Sequence, residues 1–143
     1  MNQNEALLPL FWRESHEELR ELKNIDKTVL ASDRYEAWLD EKRQLTFCDI
    51  QDTHWIKSCT GGYITEVVFH ADGTLEEYRL FDRFPTQGHW QLHDGTLHVE
   101  IYKADNCYTF AVVGCQAINI HSAIEYKNGE LHSYLKLAQV KPN

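Results

Sequence analysis

The hydrophobic period of this chain changes near residue 50: apolar residues recur at helical spacing up to Leu45 and alternate with polar ones from Thr53 onward. In the first part Phe11, Trp12, Ser15, Leu19 and Leu22 fall on one helical face, and Arg13, Glu14, Glu17, Glu18, Arg20 and Glu21 fill the rest. Pro9 suits the first turn of such a helix, and Asn24-Ile25-Asp26 interrupts it. A second helix is expected from Ser32 or Asp33, where Asp33 and Glu36 loosely match a capping box. Its apolar face is Tyr35, Trp38, Leu39 and Leu45. Docking on the rest of the domain is the plain expectation for both helices. The run Leu7-Leu8-Pro9-Leu10-Phe11-Trp12 alternatively offers a surface for a second copy in a homodimer.

The alternating part predicts eight strands, near 53–58, 62–70, 74–81, 87–93, 96–103, 107–113, 117–127 and 130–139. Ala71-Asp72-Gly73, Asp94-Gly95 and Asn128-Gly129 are strong turn signals between them. Pro85 falls in the Phe84–Gly88 connection, where a missing donor is harmless. Short antiparallel strands joined by tight turns favour a meander that closes on itself and leaves no edge. The predicted fold is mainly β with an N-terminal α segment: an antiparallel eight-stranded meander barrel preceded by two amphipathic helices. It forms one domain over 1–143, with 1–45 helical and 53–139 the barrel.

Strand registers assign faces. A turn at Asp94-Gly95 pairs Leu92 with Leu97 and Trp90 with Val99 inside, and Gln91 with His98 and His89 with Glu100 outside. A turn at Asn128-Gly129 pairs Tyr126 with Leu131, Ile124 with Ser133, Ser122 with Leu135 and Ile120 with Leu137 inside. That leaves His121, Glu125, His132, Tyr134 and Lys136 outside. In the preceding strand Tyr108, Phe110 and Val112 face in, and Cys107 and Thr109 face out. The hairpin at Asp72-Gly73 is awkward: the register pairing Phe69 with Leu75 puts Thr65, Val67, Glu77 and Arg79 on the inner face too. Charged groups inside a barrel are costly unless paired or solvated. Either they anchor a ligand in a wet lumen, or the strand bends so that both reach solvent.

Composition narrows the function classes. The 143 residues carry 14 basic and 22 acidic side chains, a net charge of −8 that disfavours nucleic acid and anionic membranes. The N-terminal residues lack a basic leader region, and no apolar run approaches a membrane-spanning length, so the expected compartment is the cytoplasm. There Cys48, Cys59, Cys107 and Cys115 are expected as free thiols, and no C-x-x-C spacing supports zinc. Eight histidines invite a metal, but His89, His93, His98, His121 and His132 fall outward on different strands. His89 beside Glu100 and His132 beside Glu125 are surface pairs of a pH-sensitive kind. Cys59 near Gly61-Gly62 lacks a base placed by any motif, so no catalytic residue, metal or cofactor is assigned.

The segments VVFHADGTL, GHWQLHDGTLHVEI and YTFAVV, within residues 62–139, resemble the bacterial lipocalin-like (calycin-type) small barrels. Thr53-His54-Trp55 does not reproduce the Gly-x-Trp that marks true lipocalins, and the helical N-terminal segment is atypical of them. The resemblance implies a lumen that takes a small apolar or amphipathic ligand, without catalysis. The lumen candidates are Trp55, Thr65, Phe69, Glu77, Arg79, Trp90, Tyr108 and Phe110. Two other readings stand beside this one. The chain is an interaction or self-association module, or it is an enzyme of the cone-shaped α+β type related to nuclear transport factor. The last requires an open sheet of fewer strands.

Overall fold

Every strand expected from the alternation is present, and the sheet closes. The computed structural model describes residues 3–79, 81 and 84–140. The barrel strands are β2 (Thr53–Cys59), β3 (Ile64–Phe69), β4 (Thr74–Arg79), β5 (Thr86–His93), β6 (Thr96–Lys103), β7 (Asn106–Cys115), β8 (Ile120–Lys127) and β9 (Glu130–Val140). Each pairs antiparallel with the next, and β9 pairs back to β2. Closure excludes the open cone-shaped sheet. A two-residue strand, β1 (Lys42–Arg43), adds to β7 from outside the ring. Of the expected extension of β4 to Phe81, Leu80 lies outside the described residues and Phe81 is in a turn.

Turn chemistry sets the registers. Asp94-Gly95 and Asn128-Gly129 both take left-handed φ at each residue, the I′ geometry that matches strand twist. The β5–β6 pairs form as expected, Trp90 with Val99 and Leu92 with Leu97 inside. The Phe69–Leu75 register also holds, placing Val67 opposite Glu77 and Thr65 opposite Arg79. Gly88 lets β5 approach β6, since a Cβ there would collide with the Glu100 carbonyl oxygen.

The β8–β9 hairpin corrects the sequence expectation. Tyr126 pairs with Leu131, but Glu125 pairs with Ser133, so His132 is an extra residue at a bulge. Beyond it Ala123 pairs with Leu135 and His121 with Leu137. His121, Ala123 and Glu125 therefore face into the barrel, where Ser122, Ile124 and Ile120 were expected, and the Tyr126–Leu131 pair lies on the outer face rather than the inner one. Leu135 and Leu137 remain inside.

The N-terminal segment differs as well. Helix α1 (Gln3–His16) starts early enough to hold Pro9 in its interior rather than its first turn. It stops where Glu17 adopts φ 55° and its N–H caps the Arg13 carbonyl. Two 3₁₀ turns follow at Leu22–Asn24 and Lys27–Ala31, so Leu19 and Leu22 do not continue the helix. Helix α2 (Asp33–Asp40) is capped by the Ser32 hydroxyl, which accepts from the Tyr35 N–H. The run Leu7–Trp12 is taken up within the chain. Leu7 and Leu10 pack on Val113, Ile124 and Tyr134 of the outer sheet face, while Leu8 and Phe11 pack on Ile25 and Tyr35.

Glu14 fixes α1 to the barrel. It accepts hydrogen bonds from Trp38 Nε1 at 2.7 Å, Lys42 Nζ at 2.9 Å, Ser122 Oγ at 2.9 Å and the Tyr134 hydroxyl. Burial alone would raise its pKa; the bonds from Tyr134, Lys42 and Trp38 and the Lys42 charge outweigh it and bring it to about 2. Glu14→Gln is expected to cost about 3 kcal/mol near neutral pH, because Lys42 and Tyr134 lose a buried anion. A depressed carboxyl pKa contributes stability above its ordinary 4.5, and that contribution is lost as pH falls toward about 2. Urea unfolding of both proteins across this range should show the gap closing; a gap independent of pH would refute the ionic role.

Candidate functional site

The barrel interior divides into an apolar half and a charged half. Helix α3 (Phe47–Ile50) closes the first, nucleated by a capping box in which Thr46 and Asp49 bond reciprocally. Leu45 and Ile50 enter the core there beside Trp55, Phe69, Leu75, Trp90 and Leu97. Ring contacts link Trp55 to Phe69 at 5.4 Å and Phe69 to Trp90 at 6.3 Å. Each indole N–H is satisfied, Trp55 by Thr53 Oγ1 and Trp90 by the His70 carbonyl. Trp55, Val67 and Phe69 have no accessible area, so no water-sized void lies against them.

His121 ties this plug to the wall. The Cys115 N–H donates to its Nδ1 at 2.9 Å, which puts the ring proton on Nε2, directed at Gln139 Oε1 at 3.3 Å. Gln139 Nε2 donates in turn to the Asp49 carbonyl of α3. Burial lowers the His121 pKa and keeps the ring neutral in this relay.

The other half lies toward the end of β2–β4 where Lys57, Thr65 and Arg79 share a row of the sheet. Lys57, two residues beyond Trp55 on β2, points inward with 12% of its side chain exposed. Its ammonium lies 2.5 Å from Glu77 Oε2 and 3.6 Å from Glu125 Oε2, and over the Phe110 ring. Thr65 Oγ1 donates to Glu77 Oε2 at 2.7 Å. Ser133 Oγ donates to Glu125 Oε1 at 3.1 Å, and His132 Nδ1 lies 2.8 Å from the same oxygen. Two strands thus supply carboxylates and a third supplies the cation between them. Among the described residues no buried polar side-chain atom lacks a partner.

All eight lumen candidates lie on the inner face. Trp55, Phe69, Trp90 and Phe110 belong to the core, and Tyr108 packs against it. Thr65 and Glu77 join the ionic cluster. Arg79, opposite Thr65, is exposed at the rim and makes no ion pair among the described residues. At the same end Tyr63 on the β2–β3 turn and Phe81 and Phe84 on the β4–β5 connection are exposed.

Lys57 and Glu125 were missed by the sequence reading. The signal for Lys57 was available, because a residue two beyond an inward Trp55 shares its face. Glu125 was hidden by the bulge. Among the described residues no group of three or more His, Cys, Asp or Glu is arranged for a metal, the four cysteines are unpaired, and no helix is long and apolar enough to cross a membrane.

Comparison of the chain with family models, with curated proteins and with solved structures finds no match. The closed eight-stranded antiparallel barrel is consistent with a lipocalin-like architecture.

Lys57→Met alone is expected to destabilise the barrel by about 3 kcal/mol or more, since it strands two buried carboxylates. Adding Glu77→Leu should restore much of that loss, because one of the stranded anions is removed. Urea unfolding of the single and double variants checks this; a double variant no more stable than the single would show that the three groups do not act as a unit.

Proposed function

We propose that this chain is a non-catalytic, lipocalin-like binding barrel that takes a small amphipathic molecule at its charged end. The observation that carries the reading is the ionic cluster of Lys57, Glu77 and Glu125 on the inner face of a barrel whose other half is filled with apolar side chains. A barrel needing only a core gains little from three desolvated charges, since apolar residues of similar volume often replace such groups without loss of stability. The polar group of the ligand meets Arg79 and the cluster, and its apolar part lies against Tyr63, Phe81 and Phe84 at the rim. Aromatic walls with a few convergent polar groups suit such a site. The four unpaired cysteines fit a reducing, cytoplasmic setting.

Native mass spectrometry of the purified protein, set against its denatured mass, tests the reading. The expected result is a co-purified small molecule that is lost with Arg79→Ala and kept with Ala71→Ser, a control on the exposed β3–β4 turn at the opposite end of the barrel. A ligand-free mass for the wild type, or an adduct unaffected by Arg79→Ala, would overturn it. A ligand-free dimer would move the weight to self-association.

A further inference from the structure

The outer face of β5–β8 and the first turns of α1 enclose a groove of about 470 Å³, within the range of small-molecule sites. It lies on the opposite side of the sheet from the barrel interior, because Val99 and Phe110 in the same strands turn their side chains inward. Two neighbouring rows of the sheet form its floor: Gln91, His98, Ala111 and Ile124 in one, Glu100, Thr109 and Tyr126 in the next. Both rows run from polar residues on β5 and β6 to apolar or aromatic ones on β8. Ala6 adds to the apolar wall.

Glu5 from α1 and Glu100 from β6 line the groove, and neither Lys nor Arg does among the described residues. The imidazoles of His93 and His98, 6.1 Å apart, stand beside them. Burial first, then the charges of His93 and of the N-terminus, lower the His98 pKa and keep that ring uncharged near neutral pH. A chain of net charge −8 reinforces the attraction for cations.

We propose that this groove is a second binding site, selective for a small organic ammonium compound with an apolar or aromatic body. The ammonium lies at the Glu100 end, hydrogen-bonded to the carboxylate, and the body lies on Ile124 and Tyr126. The carboxylate supplies the discrimination, since a charged donor meeting a carboxylate makes a stronger hydrogen bond than a neutral one.

The probes are benzylamine and phenethylamine, compared with phenethyl alcohol and phenylacetate, titrated into the full chain by calorimetry. The amines are expected to bind saturably, the alcohol about tenfold more weakly, and the carboxylate not at all. Glu100→Gln, a change at an exposed position, should weaken the amines about tenfold while the fold is retained. Ala111→Leu should abolish binding by filling the floor, and Arg79→Ala at the barrel rim should leave it unchanged. Failure of both amines to saturate, equal binding of the alcohol, or full affinity in Glu100→Gln would each overturn the proposal. Loss of amine binding in Arg79→Ala would place the amines at the barrel mouth and overturn it as well.

Discussion

The join between the helical segment and the barrel rests on one carboxylate. Glu14 gathers donors from α2, from β1 and from β8 and β9. With it in place, Leu7 and Leu10 can lie on the outer face of β7–β9. That contact makes a surface of the barrel into a second core. It buries Ser122 and Ile124 from outside while His121, Ala123 and Glu125 are buried from inside. It also stands α1 against the sheet as one wall of the outer groove. An ionised, fully bonded carboxylate is a demanding way to fix a helix, because removing any donor leaves charge in a poor solvent. It sets the position of α1 more sharply than apolar contact alone, which tolerates sliding.

This double burial explains what could be inferred from the sequence and what could not. On β5 and β6 one face meets the core and the other meets solvent or a wet groove, so Trp90, Leu92, Leu97 and Val99 alternate with polar residues and their registers were legible. On β8 both faces are buried, alternation vanishes, and IHSAIEYK carries no parity signal. The bulge at His132 then reverses the phase inferred from the Asn128-Gly129 turn. Similarly, α1 buries Leu7 and Leu10 on one side and Leu8 and Phe11 on another, so its apolar positions cover more than one stripe. A pattern search for a single amphipathic face slides off it toward Leu19 and Leu22.

The candidate site was legible in part for a related reason. The awkward register of the Asp72-Gly73 hairpin was informative: Glu77 sits inside because Lys57 and Thr65 meet it there. Arg79, on the same face one step nearer the end of β4, reaches solvent. Along one strand, therefore, Glu77 is turned inward and paired within the protein while Arg79 reaches solvent. The partner carboxylate Glu125 depends on a long-range register that no local pattern encodes.

The same sheet bears both proposed sites, and strand parity keeps them apart. Adjacent residues serve different sides: Val99 faces the barrel and Glu100 the groove, Phe110 the barrel and Ala111 the groove. The apolar half of the barrel is closed by α3 and by the His121–Gln139–Asp49 relay. The groove opens beside α1 instead. Coupling between the two sites would have to pass through the β6–β7 wall. There Val99 and Phe110 pack in a filled interior that resists small displacements. Binding on one side should therefore leave the other largely unaffected unless α1 itself moves, and Glu14 is the group that holds it.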